Sequence, residues 1–94
     1  MTVTYLMLAR LPAGGAAAFD AYESAALPLL AEHGGHLERR LRTLDDRLEA
    51  HLVSFASEEG LAAYRADPRR TAAAPLLDSS GAVVELLAVR DVRH

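Results

Sequence analysis

Between Val3 and Arg10 large apolar residues fall on both sides of an extended chain. Val3, Tyr5 and Met7 point one way and Leu6 and Leu8 the other, the pattern of a strand buried on two faces. Leu11-Pro12-Ala13-Gly14-Gly15 interrupts it with strong breakers. From Ala16 to His33 the period changes to three and four residues. Phe19, Tyr22, Ala26, Leu29, Leu30 and His33 form one stripe, which predicts a helix facing a core. Asp20 and Glu23 fall in its N-terminal half, where the helix dipole favours acids. Pro28 lies inside the helix and predicts a kink, because it offers no N–H to the carbonyl of Ser24. Gly34-Gly35 ends the helix, with Gly34 suited to a left-handed C-terminal position.

A second strand is predicted from His36 to Thr43, with His36, Glu38, Arg40 and Arg42 on one face and Leu37, Arg39 and Leu41 on the other. A turn at Leu44 to Leu48 returns the chain into a third strand, Glu49 to Ala56, making a hairpin. Ser57 followed by Glu58 and Glu59 predicts an N-capped second helix, and Asp67-Pro68 a fresh helical start. A short helix through Thr71 to Ala74 is expected to be disturbed at Pro75, with a turn at Asp78 to Gly81. Val83 to Arg90 is a fourth strand, again apolar on both faces apart from Glu85.

The order β-α-β-β-α-β predicts an α+β, ferredoxin-like domain over residues 1–94: a four-stranded antiparallel sheet with two main helices on one face. The other face would leave Leu, Val and Met side chains wet, at about 1.5–3 kcal/mol for each one left unburied. A second copy packed sheet to sheet relieves this, so a homodimer through the open face is expected.

Composition narrows the chemistry. With 94 residues there is room for one domain, and 51% hydrophobic against 24% charged residues is a globular balance. The formal net charge of -3 speaks against nucleic acid or an anionic membrane as partner. No apolar run reaches the length of a membrane span. The first residues lack the basic-then-apolar pattern of a secretory signal, so a cytoplasmic protein is expected. There is no Cys, hence no disulfide, thiolate nucleophile or sulfur ligand. All ten basic residues are Arg, which removes a lysine Schiff base and a phosphate-loop lysine. Abundant Ala, Arg and Leu beside absent Lys, Asn and Ile fits a GC-rich genome.

Phe19-Asp20-Ala21-Tyr22, Leu27-Pro28-Leu29-Leu30, His33-Gly34-Gly35-His36-Leu37, Val53 to Glu59 and Ala63 to Pro68 together resemble family 1330 of the domains of unknown function. That family belongs to the dimeric α/β-barrel superfamily. The resemblance implies a dimeric α/β barrel whose relatives include cofactor-free antibiotic-biosynthesis monooxygenases, muconolactone isomerases, haem-degrading enzymes and plain binding proteins. Arg40 matches an Arg that the family often carries after Gly-Gly. His36 stands where the family often has Arg, and Leu41-Arg42-Thr43 replaces its usual glycines.

Two readings of the second strand are open. In one, Arg40 clamps a carboxylate or enolate while His36 or His51 moves a proton. In the other, the strand is a solvated edge with cross-strand pairs such as Arg42 with Glu49. A ligand pocket is expected around Tyr22, Pro28, His33 and Arg40, near the helix kink, holding a small apolar or aromatic metabolite. His33 alternatively caps the helix end. The tyrosines Tyr5, Tyr22 and Tyr64 are expected in the core with hydroxyls at its rim. No histidine spacing on one element suits a metal, and no haem, nucleotide or other cofactor motif is present. The expected function is small-molecule binding. The alternatives are cofactor-free monooxygenase or isomerase chemistry, or a non-catalytic accessory dimer.

Overall fold

The structure is a computed structural model that describes residues 1–93. Four strands, β1 (Val3–Arg10), β2 (Gly35–Arg42), β3 (Leu48–Phe55) and β4 (Val83–Val89), form one sheet in the order β2-β3-β1-β4. All three pairings are antiparallel. Helix α1 (Ala16–Ala26) follows β1; α2 (Glu58–Ala66), α3 (Pro68–Ala72) and α4 (Ala74–Ser80) lie between β3 and β4. This is the ferredoxin-like β-α-β-β-α-β order, with both helical crossovers on one face.

The helical regions differ in detail from the simple expectation. The predicted kinked helix Ala16–His33 is two elements: α1 stops at Ala26, and Leu27–His33 tightens into 3-10 turns. Pro28 sits in the first turn of the tighter piece, where its missing N–H costs nothing. The second helical region breaks twice, once at each proline signal. Ser57 caps α2 by accepting from the Gly60 N–H at 3.3 Å, and Asp67 caps α3 by accepting from Arg69 N–H at 2.9 Å. The turn expected at Asp78–Gly81 is helical through Ser80, with Gly81 as its left-handed stop at φ 69°.

The corner after the 3-10 helix is tight. Gly34 has φ 72°, and its carbonyl accepts from the Ala56 N–H at 3.0 Å, tying the corner to the end of β3. A Cβ on Gly35 would lie 2.7 Å from Phe55 Cε1 and 3.0 Å from the Leu30 carbonyl oxygen. Gly35→Ala is therefore expected to cost about 1–3 kcal/mol of overpacking. Urea denaturation reads this directly, and a loss below about 0.5 kcal/mol would show that the corner has slack.

The helix-covered face of the sheet carries three buried apolar clusters. One holds Met7, Ala9, Leu11 and Phe19; a second Tyr22, Ala26 and Ala73; a third Leu30, Val53 and Phe55. Leu77 packs against both the first and the second, and residues of all three line the cavity described below. The opposite face is uncovered in the single chain. It presents Leu6, Leu8, Leu52 and Leu87 in register across three strands, with Val83 67% and Leu41 51% exposed. Strand β4 is exposed along its whole length rather than buried on two faces. Among the described residues no helix is long and apolar enough to cross a membrane.

Candidate functional site

Strand β3 alternates strictly between partly exposed and buried residues, and the buried set is Glu49, His51, Val53 and Phe55. Two of these four are ionisable and point at the helices. A bulge between Leu37 and Arg39 shifts the register of β2, so that Arg40 pairs with His51 and Arg42 with Glu49. The extra residue turns Arg40 and Arg42 toward the helices and leaves His36, paired with Ser54, on the opposite side. From above, α1 contributes Glu23, one turn beyond Phe19 and buried with only 5% exposure.

The charges form a chain from the surface inward. Asp20 accepts from Arg42 Nη2 at 2.6 Å and from Arg40 Nη2 at 3.3 Å. Arg42 Nε and Arg40 Nε in turn donate to the Glu49 carboxylate at 2.8 and 3.0 Å. Glu49 also pairs with His51 Nε2. Burial alone would raise the Glu49 carboxyl, but the hydrogen bonds from His51, Arg40 and Arg42 outweigh it and hold the group below the usual carboxylate range. His51 is lowered by burial, against the opposing pull of Glu49, so its imidazole is neutral at neutral pH. With Glu49 ionised, Nε2 carries the hydrogen and donates, which leaves Nδ1 as a lone-pair acceptor.

Two guanidinium charges are thus matched by two carboxylates, Asp20 and Glu49. Glu23 is the carboxyl left over. Among the described residues no Arg or His nitrogen lies within 4.0 Å of it. Burial, and then the negative charge of Glu49, push its pKa up to about 7. A group of that kind holds and releases a proton at neutral pH, which a surface glutamate does not do.

Glu23 and His51 both line a cavity of about 320 Å³ between helices and sheet. Met7, Phe19, Leu30, Val53 and Phe55 make its walls apolar. Val84 and Leu86 of the exposed strand β4 form its mouth. Tyr22, Tyr64 and Arg70 also line it. Burial raises both tyrosine hydroxyls, while the Arg70 charge and hydrogen bonding with its side chain work in the other direction. The Arg70 guanidinium carbon lies 5.1 Å from the centre of the Tyr64 ring, and its Nε is buried without a hydrogen-bond partner.

Of the residues singled out in the sequence, Tyr5, Tyr22, Tyr64 and His51 line the cavity. Arg40 stands behind it, reaching His51 only through Glu49. His36 does not share a face with Arg40 as the unbroken alternation implied; its side chain is 74% exposed, 3.9 Å from Glu38. Pro28 and His33 are not on the cavity wall, although their neighbours Leu27 and Leu30 are. His33 Nε2 instead meets Asp67 Oδ2 at 2.8 Å and ties the 3-10 helix to α3. That bond and those from Arg69 hold the Asp67 carboxyl far below its usual range, those from Arg69 most of all. The Arg42–Glu49 pair expected of a charged edge is present, but its carboxylate is buried. Sequence reasoning missed Glu23, Glu49 and Arg70 as site residues. The signal for Glu23 was its spacing, four after Phe19 and three before Ala26 on the core stripe; for Glu49 it was its alternation with His51, Val53 and Phe55.

His33, His36 and His51 lie on separate elements, and among the described residues no metal-sized cluster holds more than one of them. Glu23, Glu49 and His51 do place one donor atom each within 4.8 Å of one another. Two of those donors are already committed, Glu49 to Arg40 and Arg42 and His51 Nε2 to Glu49. A cation there would meet two guanidinium charges, so the cluster suits proton chemistry better than metal ligation.

No protein-family profile matches the chain, and no curated protein does. Solved structures do. A protein from Agrobacterium tumefaciens has a TM-score of 0.79 at 22% identity, covering 99% of this chain and 95% of its own. A further structure of that protein describes it as a nipsnap family protein with unknown function. SnoaB from Streptomyces nogalater, a cofactor-independent oxygenase, has a TM-score of 0.74 at 19% identity over 97% of this chain and 95% of its own. Rv0793 from Mycobacterium tuberculosis has 0.69 at 17% over the full length of both. At these identities the likeness establishes the shared ferredoxin-like α+β fold.

Proposed function

We propose that this chain binds a small, largely apolar molecule with an ionisable group in the helix–sheet cavity, and that Glu23 and His51 move a proton on it. The observation that carries the reading is one buried carboxyl without a charge partner on the wall of an otherwise apolar cavity. Such a group costs stability and is retained where proton transfer uses it. His51, neutral and oriented by Glu49, supplies the second proton site. Arg40 and Arg42 act as positioning residues by fixing Glu49. The resemblance to family 1330 of the domains of unknown function agrees with the fold but adds no reaction.

Cofactor-free oxygenation or isomerisation is a narrower version of this reading, because both begin with proton removal from the substrate. The fold shared with a cofactor-independent oxygenase favours it. An accessory dimer without turnover would use the cavity for binding alone. In each version we propose a homodimer through the open sheet face, where Leu6, Leu8, Leu52 and Leu87 await cover. Light scattering at micromolar concentration is expected to give twice the chain mass, and a stable monomer would contradict it.

Cavity binding is tested with 2-naphthol, a fluorescent phenol. Titration is expected to saturate at one site per chain. Leu86→Trp, which places an indole in the mouth, is expected to abolish the binding while the cooperative unfolding transition persists. Unchanged binding to that variant would put the probe elsewhere and overturn the proposal.

A further inference from the structure

We propose that Arg70, flanked by Tyr22 and Tyr64, is an anion-recognising pole of the cavity, and that the natural ligand is an apolar or aromatic acid whose carboxylate or equivalent oxyanion docks on its guanidinium. This rests on the cavity-binding reading above and names the ligand class.

Arg65 also lines the cavity, but it is exposed to solvent, and the arginines packed against buried carboxylates or backbone are satisfied. Arg40 and Arg42 are held by Glu49 and Asp20, and Arg69 by Asp67 and Glu32. Arg47 Nε donates to the Leu11 carbonyl at 2.8 Å. Arg70 is only half-exposed and lines the cavity, yet its buried Nε donates to nothing. Among the described residues no carboxylate lies within 4.0 Å of it. A buried donor without an acceptor is costly, and a charged one more so.

Stacking does not account for the residue. The guanidinium carbon sits over the Tyr64 ring, 5.1 Å from its centre, and this contact gives the buried Nε no acceptor. The outer N–H groups of Arg70 face the Tyr22 and Tyr64 hydroxyls closely enough to lower them, while the buried Nε keeps its hydrogen without an acceptor. Glu23 lies near enough to feel the Arg70 charge but beyond ion-pair distance. A ligand oxyanion entering between them would meet a guanidinium fork, with the hydroxyls of Tyr22 and Tyr64 nearby as further donors and a protonated Glu23 close at hand. Charge-assisted hydrogen bonds of this type are about twice as strong as neutral ones. The apolar walls would take the rest of the molecule.

The test compares 2-naphthoate with the isosteric neutral 2-naphthamide by calorimetric titration at pH 6. The parent chain is expected to prefer the acid by about tenfold or more. Arg70→Gln should erase that preference by weakening the acid far more than the amide, while Arg70→Lys, which keeps the charge without the fork, should retain part of it. Equal affinity of acid and amide for the parent, or a preference that survives in Arg70→Gln, overturns the anion pole and leaves cavity binding standing. Failure of both probes to bind the parent overturns the cavity reading and the pole together.

Discussion

Glu23→Gln is expected to stabilise the protein at pH 8 by about 3 kcal/mol and to change its stability little at pH 4. Glutamine has the shape of a protonated glutamate and never ionises. In the native chain burial and the Glu49 charge raise the Glu23 carboxyl from 4.5 to about 7. Below 4.5 the group is protonated in both the folded and the unfolded chain, and it contributes no pH dependence. Between about 4.5 and about 7 the unfolded chain gives up the proton and the folded chain keeps it. Stability then falls as pH rises, by about 1.4 kcal/mol per pH unit. Above about 7 the loss is complete and constant. The variant escapes this loss, so the difference between the two chains should grow across that window and then level off. Urea denaturation at pH 4, 6 and 8, at one protein concentration, measures it. A difference that is flat with pH would mean that Glu23 ionises as an ordinary surface acid.

The reverse effect is expected at Glu49. Its side chain is 1% exposed and receives Arg40, Arg42 and His51 together. Glu49→Ala leaves two guanidinium groups side by side with only the half-exposed Asp20 between them and water. Breaking a buried pair from one side costs about 3–5 kcal/mol, and the partial exposure of both arginines places this case toward the lower end. Asp20→Ala, on the outer side of the same chain, should cost under about 1 kcal/mol. A second readout separates electrostatics from packing. Because the Glu49 charge helps to raise Glu23, its removal should move the Glu23 titration toward lower pH. A cost at Glu49 no larger than that at Asp20 would contradict the buried network.

The two predictions concern residues that the sequence showed unequally. The strands, their order along the chain and the hairpin were legible because Val3–Arg10 and Val83–Val89 are apolar runs, the first followed by Pro12 and the second preceded by Gly81, and because Asp67-Pro68 marks a helix start. The in-and-out alternation of β3 was legible too, and it contains Glu49 and His51. The bulge in β2 was not. Leu37-Glu38-Arg39 carries no Gly or Pro to announce it, and one inserted residue reverses the faces of everything after it. That is why His36 looked like a neighbour of Arg40 and lies across the sheet from it. Glu23 was hidden for another reason. An acid in the first half of a helix is commonly solvated and favoured by the dipole, and only the packing of α1 on the sheet shows that this one is buried. Arg70 follows Arg69 in sequence, yet one is an exposed ion-pair partner and the other a cavity residue; helical rotation separates them, and no pattern in a stretch of five residues fixes that rotation.

The central claim is that the cavity wall carries a carboxyl that exchanges its proton at neutral pH. Carbon NMR of a chain labelled at the glutamate side-chain carboxyl follows each group through pH, and loss of one resonance in Glu23→Gln assigns the site. A Glu23 midpoint near 7 is the predicted result; a midpoint near the ordinary 4.5 would contradict the account.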